Sequence, residues 1–189
     1  TEKHTVKGLL WTDENATKTT LRLYRVALNG SEPTNETVGK FSITIYTGWN
    51  LISLPIMPSN TSIDEVICDE KALPNDMIFR DEAGPGISWK SAMYIEGVGW
   101  YGDLSELTPE EGYFYYRTEE DFRLTIAGKV LTNISTPVYE GWNLLGYASV
   151  TSESMDVINE PYAGDMIFGD EAGPGITWKS AMYIEGVGW

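Results

Sequence analysis

Cysteine is almost missing from this chain. Cys68 stands alone among 189 residues, so no intrachain disulfide can staple the fold, and stability must come from a core, from ions or from neighbours. A single thiol of this kind is expected to be buried and inert. Histidine is equally scarce: His4 is the only one, which removes the parts needed for a Ser-His-Asp triad, a Cys-His pair or a His-rich zinc site. No apolar run reaches the roughly 18 residues that a membrane-spanning helix requires. Basic residues are few, 13 Lys and Arg against 28 Asp and Glu, for a formal net charge of −15. A surface so acidic repels polyanions, and nucleic acid is excluded as an expected partner. The chain begins at Thr1 instead of Met, which reads as a processed product in preference to an N-terminal threonine nucleophile.

What is present is a folded, duplicated body. Hydrophobic residues make up 42% and aromatics 12%, too apolar for a disordered acidic tail. Gly48-Trp49-Asn50-Leu51 returns as Gly141-Trp142-Asn143-Leu144, and the 25 residues from Asp76 to Trp100 return as Asp165 to Trp189 with changes only at Arg80/Gly169 and Ser88/Thr177. Such internal repetition outranks any local motif. Between these blocks, Ser62 to Ile67 faces Ser154 to Ile158, and both stretches are expected to form one short helix, the first with a Ser62–Glu65 capping box. Phe41, Ile43 and Ile45 alternate with polar neighbours in the period of a half-buried strand. Leu21 to Val26, Tyr113 to Tyr116 and Phe122 to Ile126 have similar β-favouring content. Gly-rich turns separate these runs, so the expected class is all-β, with two related sandwich-like or barrel-like repeats and one short helix in each. The divisions read as an N-terminal strand segment over 1–47, a first repeat over 48–140 and a second, truncated repeat over 141–189.

The order GWNLISLP at Gly48 to Pro55, a Trp89-Lys90-Ser91 strand, LTPEEGYFYY at Leu107 to Tyr116 and LTIAG at Leu124 to Gly128 resembles a tandem repeat of secreted and cell-surface proteins of archaea, methanogens especially, and of some bacteria. Gly141 to Tyr147 matches the opening of a following copy, with Ala148 where that family has Pro, and Glu110-Glu111 replaces its usual Pro-Gly. The resemblance covers about residues 41 to 189. It implies surface architecture of the S-layer, sheath or adhesin type, with no known catalytic residue.

In the second copy the counterparts of Tyr101 to Gly128 are missing. An uncovered apolar sheet edge invites pairing, and residues 20–46 are the expected cover. They would act within their own chain or as donor strands to a neighbour, with Phe41, Ile43 and Ile45 as the assembly contacts; a fragment lacking those strands is the remaining alternative. Asn15, Asn29, Asn35, Asn60 and Asn133 each open an Asn-X-Ser/Thr sequon, expected to carry glycans on an extracellular protein. Asp81-Glu82 and Asp170-Glu171 precede Gly-Pro-Gly turns, where paired carboxylates offer a Ca²⁺ site, although solvated acidic loops are favoured over it. Trp89, Trp100, Trp178 and Trp189 are candidates for sugar stacking, although core or interface duty is favoured for them. Gly97, Gly99 and Gly102 spell GxGxxG, but Asp103 and Glu106 follow and no long helix does, so they read as turns. Taken together these features lead to the expectation of a noncatalytic, extracellular, self-assembling surface subunit. Copies of itself are its expected partners, and no cofactor is expected beyond Ca²⁺. A carbohydrate-binding module is the alternative.

Overall fold

The computed structural model describes residues 22–24, 38–68, 71–82, 88–131, 135–146, 158, 161–170, 174–175 and 177–189. In chain order the strands are β1 (Arg22–Tyr24), β2 (Val38–Ile45), β3 (Gly48–Ser53), β4 (Ile56–Pro58), β5 (Met77–Asp81), β6 (Trp89–Ile95), β7 (Gly99–Gly102), β8 (Gly112–Arg117), β9 (Phe122–Val130), β10 (Met166–Asp170) and β11 (Trp178–Met182), with helix α1 (Ile63–Val66) after β4. They form a four-stranded sheet ordered β1-β2-β9-β4, a five-stranded sheet ordered β3-β8-β5-β6-β7 and a two-stranded sheet of β10 and β11. All pairings are antiparallel. The chain is therefore all-β with one short described helix. No helix among the described residues is long and apolar enough to cross a membrane.

One core serves both large sheets. Ile45, Ile56, Leu124 and Ile126 of the four-stranded sheet join Ile52, Ile78, Tyr113 and Tyr115 of the five-stranded sheet in one buried cluster, together with Ile63, Val66 and Ile67 around α1. Period-2 patterning explains who faces in. Along β9, Leu124 and Ile126 are buried while Arg123 and Thr125 are exposed, and on the outer face Ser42 and Thr125 share a 2.9 Å hydroxyl hydrogen bond across the β2–β9 ladder. Gly128 on β9 lies so close to β4 that a side chain there would collide with the Met57 carbonyl, which explains glycine at a mid-strand position.

Three expectations need correction. β2 pairs with β9 of its own chain over eight residues, from Val38 opposite Lys129 to Ile45 opposite Phe122, and Ile45 is completely buried with Phe41 and Ile43 packed against the same core. Strand β2 is therefore an integral part of the first copy, the division at residue 47 does not separate it from residues 48–130, and Phe41, Ile43 and Ile45 are not free for donation. The Ser62 side chain makes no capping bond; the Ser62 amide instead donates to Asn60 Oδ1 at 3.0 Å, an Asx turn that competes for the same position. Cys68 is exposed, because it follows the point where Val66 and Ile67 turn into the core. The expected second helix, residues 154–158, lies outside the described residues except for Ile158.

Candidate assembly site

Strand β8 alternates two kinds of residue. Tyr113, Tyr115 and Arg117 point into the core, while Phe114 and Tyr116 point outward. The inward set converges on Asp76, whose side chain is fully buried. Arg117 Nη1 donates to Asp76 Oδ2 at 2.6 Å, and Tyr115 Oη donates to the same oxygen at 2.8 Å. The Thr118 amide and hydroxyl donate to Oδ1 at 2.9 and 2.5 Å, and the Leu73 amide donates to Oδ2 at 3.0 Å. Arg117 also donates to the Lys71 and Glu120 carbonyls and lies over the Phe122 ring at 4.6 Å. A buried carboxylate with five donors and a paired guanidinium meets the conditions under which an interior charge is tolerated. Burial pushes the Asp76 carboxyl up, but the hydrogen bonds from Thr118, Leu73 and Tyr115 outweigh it and hold the group below its ordinary value. Burial, and then the neighbouring Asp76 charge, push the Tyr115 phenol far above its ordinary value, so it remains a donor.

A second anchor reaches β8 from the GWNL motif. Asn50 Nδ2 donates to the Tyr46, Gly48 and Tyr115 carbonyls at 2.7, 3.0 and 3.4 Å, and its Oδ1 accepts from the Tyr46 amide at 2.8 Å. In the second copy, Asn143 repeats the local part of this pattern. Its Nδ2 donates to the Tyr139 and Gly141 carbonyls at 2.7 and 3.1 Å, and its Oδ1 accepts from the Tyr139 amide at 2.9 Å. Asp165 likewise keeps the local bond of Asp76, accepting from the Tyr162 amide at 2.8 Å. The turn before β10 also matches the turn before β5, with Gly164 at φ 95° where Asn75 sits at φ 68°, both tolerated in the left-handed region.

The outward face of the five-stranded sheet is aromatic. Trp49 packs on Tyr116, Phe79 and Phe114 at 5.1, 5.7 and 6.5 Å between ring centroids. Trp89 lies 6.1 Å from Phe114, and Phe114 lies 6.4 Å from Trp178. The array continues on the second copy through Phe168 to Trp142, at 6.5 and 5.5 Å. Trp89 and Trp178 are half exposed, at 50% and 53%. Trp100 belongs elsewhere: its Nε1 donates to the Ile67 carbonyl at 3.0 Å, and its ring packs on Tyr94 and Tyr115. Trp189 packs on Tyr183 as Trp100 packs on Tyr94, at 5.5 and 5.6 Å. The four candidate tryptophans therefore divide into an outward pair and an inward-leaning pair. Backbone bonds add to the contact between the copies, the Gly112 amide to the Leu144 carbonyl at 3.4 Å and the Gly146 amide to the Glu110 carbonyl at 3.1 Å.

The acidic loops show other duties. Asp81 Oδ1 accepts from the Ser88 amide at 2.8 Å, and Asp170 Oδ1 accepts from the Thr177 amide at 2.7 Å, so each closes the base of its hairpin. Glu82 pairs with Lys90 at 2.6 Å, and that hydrogen bond and charge hold its pKa down. Glu171 lies outside the described residues, and among those described no cluster of three or more His, Cys, Asp or Glu is arranged to hold a metal. Because hairpin closure accounts for Asp81 and Asp170, EDTA is expected to leave the melting temperature unchanged at low salt; a fall of several degrees in a thermal melt would mean that a cation bridges these loops. Asn60 is exposed and anchors an Asx turn, an accessible position for a glycan. Asn15, Asn29, Asn35 and Asn133 lie outside the described residues.

Among the described residues, two pockets of about 110 Å³ each are well below the roughly 300–1,000 Å³ of ordinary ligand sites. The first lies at the contact between the copies, against Glu111 and Leu145. Comparison with protein-family models, with curated proteins and with solved structures gives no match for the chain.

Proposed function

We propose that this chain is a noncatalytic extracellular structural protein, a tandem-repeat subunit of a cell-surface layer, sheath or filament that assembles with copies of itself. In this reading each copy is a two-sheet sandwich. The observation that carries it is the aromatic array, in which equivalent residues of the two copies, Trp49, Phe79 and Trp89 against Trp142, Phe168 and Trp178, join through the Phe114–Trp178 contact. A face that packs on its own equivalent is self-complementary and joins like units in pairs, and growth beyond a pair takes a second, head-to-tail contact. Exposed aromatics in this number supply large apolar area for association. The net charge of −15 opposes close packing, so assembly is expected to strengthen as salt screens it.

A carbohydrate-binding reading is favoured by the half-exposed Trp89 and Trp178 on one face. Light scattering and electron microscopy on the purified chain separate the two. Particles that grow with concentration and salt support the structural reading. A monodisperse monomer that is retarded by a polysaccharide in affinity electrophoresis overturns it in favour of sugar binding.

A further inference from the structure

Acidic residues outnumber basic ones by 28 to 13 in this chain, yet the strands of the four-stranded sheet contain none. β1, β2, β4 and β9 hold no Asp or Glu. The basic residues of β2 and β9 share one side. By the β2–β9 register, Lys40, Ser42 and Thr44 lie opposite Ala127, Thr125 and Arg123, and Val38 lies opposite Lys129. Strand alternation puts all of these on the side away from Leu124 and Ile126. Lys40, Arg123 and Lys129 are exposed there, with the bonded Ser42 and Thr125 hydroxyls among them. Lys40 and Arg123 enter no ion pair among the described residues.

The opposite charge is gathered elsewhere. Residues 62–65 and 103–106 run side by side, joined by the Ser62–Glu106 bridge and by the Ile63 amide, which donates to the Ser105 carbonyl at 3.0 Å. They bring together Asp64, Glu65, Asp103 and Glu106, all exposed. No Lys or Arg occurs over residues 59–68 or 101–112, and none of the four carboxylates is in an ion pair among the described residues. Backbone bonds hold two of them in place: Asp64 Oδ1 accepts from the Trp100 amide at 3.4 Å, and Asp103 Oδ1 accepts from the Ser91 amide at 2.7 Å.

We propose that the outer face of the four-stranded sheet is a docking surface for a second copy of this chain, whose segments 62–65 and 103–106 present their carboxylates to Lys40, Arg123 and the neighbouring hydroxyls. This inference rests on the assembly reading and supplies the head-to-tail contact that growth requires. Charge complementarity selects the occupant. Two chains of net charge −15 repel one another at most approaches, and a face with exposed cations and no acid in its strands is where carboxylates are attracted. Because the two patches differ, the contact is heterologous and propagates. A single exposed ion pair contributes little, so the contact depends on several forming together.

The test is a charge swap read by light scattering in about 0.1 M NaCl, where a Debye length of about 10 Å screens long-range repulsion and leaves contact pairs. Two double variants are compared with the wild type: Lys40→Glu with Arg123→Glu, and Asp64→Lys with Glu106→Lys. Each alone is expected to need about a tenfold or greater rise in concentration before particles grow. Mixing the two in equal amounts is expected to restore growth, because each then meets complementary charge on the other. Restoration also shows that neither variant had lost its fold. Growth of either variant alone at the wild-type concentration, or a mixture as inert as its components, overturns the proposal and leaves the assembly reading standing. A wild type that stays monodisperse at every concentration overturns both. If that monodisperse chain is retarded by an anionic polysaccharide, and Lys40→Glu with Arg123→Glu releases it, the face belongs to a polyanion instead of a second copy.

Discussion

Asp76→Ala is expected to destabilise the first copy by about 3–5 kcal/mol in urea unfolding, the range for leaving one member of a buried ion pair alone. The Arg117 guanidinium, 5% exposed, would keep its carbonyl partners but lose its counter-charge, and Tyr115 and Thr118 would lose their acceptor. The second copy provides an internal control. Asp165 is chemically equivalent, but it is exposed and holds the one described side-chain bond to the Tyr162 amide, so Asp165→Ala should cost below about 1 kcal/mol. Acid acts on the same group. Because the folded state holds the Asp76 carboxyl below its unfolded value of 3.8, its contribution is fully present above that pH and is lost as pH falls through the lower, folded value. The urea midpoint of the wild type should therefore drop below pH 4 by more than that of Asp76→Asn.

Ile45→Asp, or removal of residues 1–46, should unfold the first copy. Ile45 is 0% exposed at the end of β2, and its loss forfeits roughly 1.5–3 kcal/mol of apolar burial before the cost of placing an unpaired carboxylate in the core is added. The truncation goes further, because it strips β9 of its partner over eight residues and exposes one face of Leu124 and Ile126. Near-ultraviolet circular dichroism should lose the tyrosine and tryptophan signals of the first copy in both variants. Retention of those signals with loss of assembly alone would restore β2 as a donor to a neighbouring chain.

The all-β class was legible because alternation survives in β2, β8 and β9, whose inward side chains are apolar or aromatic apart from Arg117 at the end of β8. The β2 partner was not legible, since Phe41, Ile43 and Ile45 would suit any sheet face, and pairing in cis or in trans leaves the same period-2 pattern. Asp76 and Arg117 were missed for a different reason. They are 41 residues apart, and a buried ion pair has no local spacing. Two signals were nonetheless present: Asp76 opens the 25-residue block that is nearly identical in both copies, and Arg117 breaks an otherwise aromatic run. The role of the acidic pairs was not legible, because a hairpin-closing aspartate and a metal-ligating one are the same residue type before a glycine-rich turn. The tryptophans divided by strand parity, which places Trp49 outward on β3, whereas Trp100 on β7 turns its indole N–H toward α1.

Residue-resolved amide exchange on the dilute, intact chain tests most directly the difference between the two copies among the described residues. Strand β5 is paired on both edges, with β6 and β8, whereas β10 is paired on one, with β11. The amides of Met77, Ile78 and Phe79 should all exchange slowly, while among Met166, Ile167 and Phe168 those directed away from β11 should exchange at solvent-exposed rates. Uniform slow exchange across residues 166–168 would show the edge already covered and would contradict the account.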